Sequence, residues 1–384
     1  MANDKTFKIK NGLSAKRYLQ SSTAVAASDV DMSSGSYFTK TLSANTTFTF
    51  SNPPASGTAG SFALEITGAD VTVGYDLANA SYDSVASPSL ASQEGQPRGL
   101  FFKSDGTKMY ITGSTASVYQ YTLSPAWDVT TASYDSVSFS VSSQEAGTEA
   151  LFFKSDGTKM YILGINSDAV FQYSLSTAWD LSTASYDSVS FSVSSQEANS
   201  TALFFKSDGT KMYSAGVSSD TVAEYNLSTA WDISSASYSQ GFSISTQHPQ
   251  VGGIEFSDDG TSMFVVGFNS DTVSQYSLST AWDISTASYD SVNLSISAQD
   301  TVPNAIRFKD DGTKMFIAGV TNDKVYQYST TGSAPATITY PSSVKWSGAT
   351  TPDAPAAGEK DVYTFVTTDG GTTYYGKQAG DAVA

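Results

Sequence analysis

The stretch from Phe101 to Ile111 reads FFKSDGTKMYI, and close copies of it begin at Phe152, Phe204, Glu255 and Arg307. The Asp-Gly pairs inside these copies begin at Asp105, Asp156, Asp208, Asp259 and Asp311, 51 or 52 residues apart. Asp-Gly between two β-rich runs is a strong hairpin signal, so each copy opens with two antiparallel strands. In the second copy these are the apolar run Leu151–Lys154 and KMYILG, Lys159–Gly164. An Asn-Ser-Asp turn leads into AVFQYSLS, Ala169–Ser176, whose side chains alternate in character. A longer Ala-Trp-Asp loop precedes a fourth run, Asp187–Ser195, and Trp127, Trp179, Trp231 and Trp282 mark that loop in four copies. Four antiparallel strands repeated about every fifty residues predict a propeller blade. The period-2 alternation and Gly-rich turns argue against a helical solenoid.

The fifth copy stops after VYQYSTTG, Val325–Gly332, without a Trp loop or a fourth strand. Both missing pieces stand ahead of the first copy: Tyr75-Asp76 takes the place of Trp-Asp, and ASYDSVASPS, Ala80–Ser89, matches the fourth strand. One tyrosine position recurs five times (Tyr82, Tyr134, Tyr186, Tyr238, Tyr289), and so does another (Tyr121, Tyr173, Tyr225, Tyr276, Tyr328). The sequence therefore predicts an all-β chain with a five-bladed propeller over 74–332, its N-terminal strand closing the last blade. Inter-strand hydrogen bonds would latch the ring and leave few free edges.

The propeller interrupts another region. Residues 37–73 and 333–384 are β-patterned, carry Pro/Gly/Ser turns, and do not look like blades. The residues Thr46-Thr47-Phe48-Thr49-Phe50, the run from Tyr340 to Trp346, the run from Asp361 to Phe365, and Asp369-Gly370-Gly371-Thr372-Thr373 carry a likeness. Read without the insert, these flanks resemble a small β domain near the C-termini of tailed-bacteriophage fibre and other virion proteins, especially those of marine phages. The resemblance implies a small β-sandwich-like domain, split by a guest whose ends lie close together. Residues 1–36 read as an N-terminal arm with one strand-like piece, Thr6–Lys10, and TFKIKNGL is similar to the N-termini of phage structural proteins. The implied setting is the virion: a protein made in the host cytoplasm and released by lysis, attached to other virion proteins through the arm and split domain. Fibres of this kind are often trimers, and a homotrimer stays open because no heptads mark one.

Composition narrows the classes further. A net charge of −17 argues against nucleic-acid binding. The absence of cysteine excludes disulfides, zinc thiolates and cysteine nucleophiles. No apolar run suits a secretion signal or a membrane span, so neither is expected, and no cofactor is expected.

The repeats serve as their own control for locating a ligand site. The Ser-Asp-Gly-Thr turns and the Trp loops, on one face, hardly vary. The loops entering the first strand vary in every blade: GQPRG from Gly95, AGTEA from Ala146, ANSTA from Ala198, PQVGG from Pro249 and TVPNA from Thr301. The loops joining strands two and three, on the same face, vary too. Diversity confined to one face is the pattern of a partner surface; drift on a face that packs against nothing is the competing account. The candidate ligand-binding residues there are Arg98, Glu149, Thr201, Gln250 and Asn304, with Gln96, Asn199 and His248 behind them and Phe268 as a stacking surface. The Trp and Tyr ladders read as inter-blade packing, and the turn aspartates as turn formers.

Only Glu149, Glu224 and Glu255 break the repeat as acids, and they are not expected to form a catalytic pair, so no catalytic or metal site is expected. The expectation is a non-enzymatic virion fibre protein that presents the propeller to a host-surface glycan or protein. A structural decoration protein of capsid or tail is the alternative, and a polysaccharide depolymerase a third.

Overall fold

The computed structural model describes residues 21–382, which form two compact units: one from Val73 to Gly332, the other from the segments before and after it. The larger unit is a five-bladed propeller, each blade a four-stranded antiparallel sheet. From the axis outward, the second blade runs Thr148–Phe153, Lys159–Gly164, Ala169–Leu175 and Ala184–Ser192. The fifth runs Pro303–Phe308, Lys314–Gly319 and Lys324–Ser329, and takes its outer strand from Ser81–Ala86.

That closing strand reproduces the register of its counterparts. Tyr328 pairs with Tyr82 across a bulge at Gln327/Tyr328, as Tyr173 pairs with Tyr186 across a bulge at Gln172/Tyr173. Its Asp83 accepts from Lys314 Nζ (2.6 Å), Gln327 Nε2 (2.8 Å) and Ser329 Oγ (2.6 Å), bonds that join residues more than 230 positions apart. Hydrogen bonds to a charged group are worth ~1.5–3 kcal/mol each when a partner is deleted, and they are not additive. Asp83→Ala is therefore expected to cost about 2–3 kcal/mol, read as a lowered urea midpoint with unchanged slope.

The third blade keeps this network by exchanging its parts. Ser239 stands where the other blades have Asp, and Glu224 where they have Gln, so Lys211 finds its carboxylate on the neighbouring strand at 2.6 Å. Glu224 is thereby explained as scaffold.

The Trp loop of each blade is fixed to that blade's own turn. The turn glycines Gly106, Gly157, Gly209, Gly260 and Gly312 have φ of 67–73°, and an added Cβ on any of them would lie within 2.4 Å of the aromatic ring above it. The backbone NH of each Trp, and of Tyr75, donates to that glycine's carbonyl. Tyr110, Tyr161 and Tyr213 then donate to the Trp carbonyl of the next blade, at 2.6–2.8 Å. The aromatic ladders therefore pack blade on blade, and they also line a cavity.

The smaller unit is a six-stranded mixed sheet in the order Thr23–Ala24, Tyr37–Thr41, Gly60–Thr67, Lys360–Thr367, Tyr374–Gly380, Val344–Trp346. Gly60–Thr67 from before the propeller pairs antiparallel with Lys360–Thr367 from after it, so the two halves share one sheet. Two short parallel pairs, Asp29–Asp31 with Thr49–Ser51 and Ile338–Thr339 with Thr46–Thr47, pack over a core of Val30, Phe48, Phe62, Leu64, Tyr363 and Phe365. The expected arm over 1–36 is corrected accordingly: Thr23–Ala24 pairs with Phe38–Thr39 and Val30 is fully buried, so the later part of that segment belongs to the sheet unit. The expected strand Thr6–Lys10 lies outside the described residues.

Candidate functional site

The innermost strands of the five blades line an axial channel that is open at both ends and closed in the middle. One mouth is a cavity of about 240 Å³ lined by Arg98, Glu149, Ile165, Asn199, Thr201, Val217, Phe268, Val302, Asn304 and Val320. Arg98, Glu149, Thr201 and Asn304 occupy the same repeat position in four blades, three residues before the Phe101 position, and the fourth blade has Gly252 there. Arg98 donates to the Glu149 carboxylate and to Gln96 Oε1 (2.7 Å). Burial pushes the Glu149 carboxyl up to about 7, and the adjacent Arg98 guanidinium offsets only part of that. The Asn304 Oδ1 is buried without a hydrogen-bond partner among the described residues.

Six of the nine residues chosen from the sequence thus meet in one cavity: Arg98, Glu149, Asn199, Thr201, Phe268 and Asn304. Gln96 and Gln250 do not line it; each is hydrogen-bonded beside it, Gln96 to Arg98 and Gln250 to Asn269. His248 is corrected, being 0% exposed and beneath the face. It occupies the repeat position of Glu94, Glu145, Glu197 and Asp300, each of which accepts backbone NH groups of its blade's loops. With the fourth-blade loop Phe268-Asn269-Ser270 above it, the imidazole has one side-chain partner among the described residues, Ser270 Oγ, at 3.1 Å. Burial lowers its pKa to about 4, so it stays neutral near pH 7.

The channel narrows to about 20 Å³ between the Leu100, Leu151, Leu203, Ile254 and Ile306 positions. Below that waist the repeat position of Phe101, Phe152 and Phe204 is taken by Glu255 and Arg307. Arg307 Nη1 donates to Glu255 Oε2 (2.7 Å), Nε to the Leu100 carbonyl (2.9 Å) and Nη2 to the Leu151 carbonyl (3.2 Å). Its guanidinium carbon lies 4.8 Å from the ring centres of both Phe101 and Phe152. One side chain from the fifth blade thus reaches the first, second and fourth, and the pair plugs the channel. Burial pushes the Glu255 carboxyl up to about 7 despite Arg307.

The opposite mouth is an aromatic bowl of about 200 Å³, walled by Trp127, Trp179, Trp231, Trp282 and Tyr75 with the Phe101-position residues as its floor. Three turns give it Ser104, Ser155 and Ser207, whereas blades four and five give Asp258 and Asp310. Partial desolvation and the charges of Asp258 and Asp311 raise the Asp310 carboxyl above its usual range. The signal for this pair was present in the sequence, where two turns read Asp-Asp-Gly in place of Ser-Asp-Gly. Among the described residues no group of three His, Cys, Asp or Glu is placed to hold a metal ion.

No protein-family profile and no curated protein matches this sequence. Similar solved structures include a Bacteroides uniformis protein assigned as a 6-phosphogluconolactonase, at 14% identity and TM-score 0.39, covering 66% of this chain and 76% of that one. A Bacteroides fragilis protein with the same assignment has 12% identity and TM-score 0.41, covering 62% and 82%. The periplasmic gluconolactonase of Pseudomonas aeruginosa has 16% identity and TM-score 0.38, covering 61% and 66%. At these identities the likeness is one of fold. These neighbours carry lactonase assignments, which stand against the expectation of a chain without enzymatic activity; the assignments are those proteins' own. No helix among the described residues is long and apolar enough to cross a membrane.

Proposed function

We propose that the chain is an appendage protein of a tailed-phage virion whose propeller meets a host-surface glycan or protein through the mouth lined by Arg98, Glu149, Asn199, Thr201, Phe268 and Asn304. The observation that carries this reading is the composition of that cavity: all five blades line it, and the guanidinium, carboxyl, hydroxyl, amide and aromatic groups there come from otherwise uniform repeats. A concave mouth with a few converging polar groups is the usual form of a ligand site. The unpartnered Asn304 Oδ1 and the planar Arg98 fork suit hydroxyl-rich ligands. In the smaller unit, Val366 and Tyr375 pair across neighbouring strands and are 42% and 62% exposed, a surface suited to attachment to other virion proteins.

Glycan arrays and host-cell binding with the full chain test the reading. Arg98→Ala combined with Asn304→Ala is expected to weaken binding at least tenfold, by the logic of central polar anchors; undiminished binding overturns it. Product analysis of any bound polysaccharide reads turnover in the same experiment. A propeller found packed against shell proteins in a virion reconstruction would favour the decoration reading instead.

A further inference from the structure

The bowl at the other mouth has its own chemistry, independent of the proposed host-binding face. Its wall is aromatic, its floor joins Phe101, Phe152 and Phe204 to the paired Glu255 and Arg307, and its volume of about 200 Å³ is several times the ~30 Å³ that one water takes in the liquid. Aromatic faces carry negative potential and attract cations placed over them. This chain already uses its bowl rings in that way twice. The Arg307 guanidinium sits over Phe101 and Phe152, and Lys206 Nζ lies 5.9 Å from the Trp282 ring centre.

The charge around the rim is uneven. In blades one to three each turn carries one lysine paired with one aspartate: Lys103 with Asp105, Lys154 with Asp156, and Lys206 with Asp208. In the fourth blade Ser257 replaces that lysine, while Asp258 and Asp259 are both acidic. The fifth blade adds Asp310, since its Lys309 is taken by Asp311 at 2.5 Å. Among the described residues neither the Asp258 nor the Asp310 carboxylate has a hydrogen-bond or ion-pair partner. Tyr75, in place of a fifth Trp, stands between them: its hydroxyl donates to the Asp310 carbonyl (2.9 Å) and accepts from the Asp258 NH (3.2 Å). Glu255, 7% exposed, lines the same sector; Arg307 takes its Oε2, and its Oε1 has no hydrogen bond among the described residues.

We propose that this bowl binds a small organic cation, with an ammonium head over the aromatic rings and Asp258 and Asp310 supplying the opposing charge. A neutral sugar would use the rings without needing the carboxylates. A metal ion would use the carboxylates without needing the rings. An alkylammonium group uses both, and it gives two unpartnered carboxylates a partner.

Tryptophan fluorescence reads the site directly, because four of the five tryptophans line the bowl. Choline titrated into the full chain is expected to give a saturable change. Its neutral isostere 3,3-dimethylbutan-1-ol, and glucose, are expected to give none in the same range. Asp258→Asn combined with Asp310→Asn is expected to weaken choline at least tenfold while near-ultraviolet circular dichroism stays unchanged. Both sites are exposed turn positions, and should that variant fail to fold, the comparison of choline with its isostere on the unaltered protein still decides. No saturable change with choline overturns the proposal, as does equal binding of the neutral isostere or a folded double variant that binds choline undiminished.

Discussion

Arg307→Leu is expected to destabilise the propeller by about 3–5 kcal/mol at pH 8, the cost typical of removing one partner from a buried ion pair. The Leu100 and Leu151 carbonyls lose a donor, and Glu255 loses the counter-ion that offsets part of its desolvation, so its carboxyl is pushed further up and folding at pH 8 must hold a proton that the unfolded chain has released. The deficit is expected to shrink toward pH 5, where Glu255 carries a proton in both folded proteins and the missing counter-ion no longer distinguishes them. Changing both residues gives a different result. Glu255→Leu with Arg307→Met removes the two charges together and brings the ring closer to the apolar Phe of the other three blades. Replacing buried ion pairs by apolar side chains is often neutral or stabilising. Here the two carbonyls remain short of a donor, so the double variant is expected to recover more than half of the single variant's loss. Urea denaturation of the three proteins at pH 5 and pH 8 is the measurement. A single variant as stable as the unaltered protein, or a double variant worse than the single, would show that the plug does not hold the channel together.

The plug also marks the limit of what the sequence discloses. The repeat spacing, the five tyrosine pairs and the displaced fourth strand were enough to define five blades and their closure, because each is a copy of a recurring local pattern; even the closing strand, whose partner lies more than 230 positions away, was recognisable by its match to the other fourth strands. Arg307 instead touches residues 207 and 156 positions away across the axis. In the alignment of repeats it is only a departure from Phe, with nothing to say that Glu255 is its partner. The ligand-binding residues show the same division. Arg98, Glu149, Thr201 and Asn304 share one repeat position, so fivefold symmetry brings them together at one mouth. His248 misled because its position belongs to a buried acid that holds the loops above it, and only the three-dimensional fold shows that those loops cover it. Asp258 and Asp310 were hidden by a sound local rule. Turns favour aspartate, and the rule does not distinguish an aspartate that caps its own turn, such as Asp259, from the one beside it that faces a cavity.

Stability is expected to fall as pH rises from 5 to 7.5, the reverse of the trend for a protein whose carboxylates are mostly ion-paired. Glu149 and Glu255 are raised in the folded state from the usual carboxylate range to about 7. Across that window the folded chain keeps protons that the unfolded chain has released, so each step up in pH favours unfolding, by as much as ~1.4 kcal/mol per pH unit per group. His248 works in the other direction. Its folded pKa is lowered to about 4, so between about pH 6.5 and 4 the unfolded chain binds a proton that the folded chain refuses, and stability falls as pH drops. Two groups oppose one between pH 5 and 6.5, and above 6.5 only the glutamates still act, so the net slope stays negative. Below about pH 4 the trend reverses again: Asp83, Asp135 and Asp187, desolvated but held low by hydrogen bonds from Lys, Gln and Ser or Thr, begin to protonate and release their networks. Thermal unfolding is therefore expected to give its highest Tm near pH 5, lower by several degrees at pH 7.5 for a unit of this size. Glu149→Gln and Glu255→Gln should each remove about half of the decline, and His248→Gln should steepen it between pH 5 and 6.5. A Tm that rises steadily from pH 5 to pH 7.5, or a decline untouched by both glutamine variants, would show that these buried groups ionise in the folded chain as they do in the unfolded one.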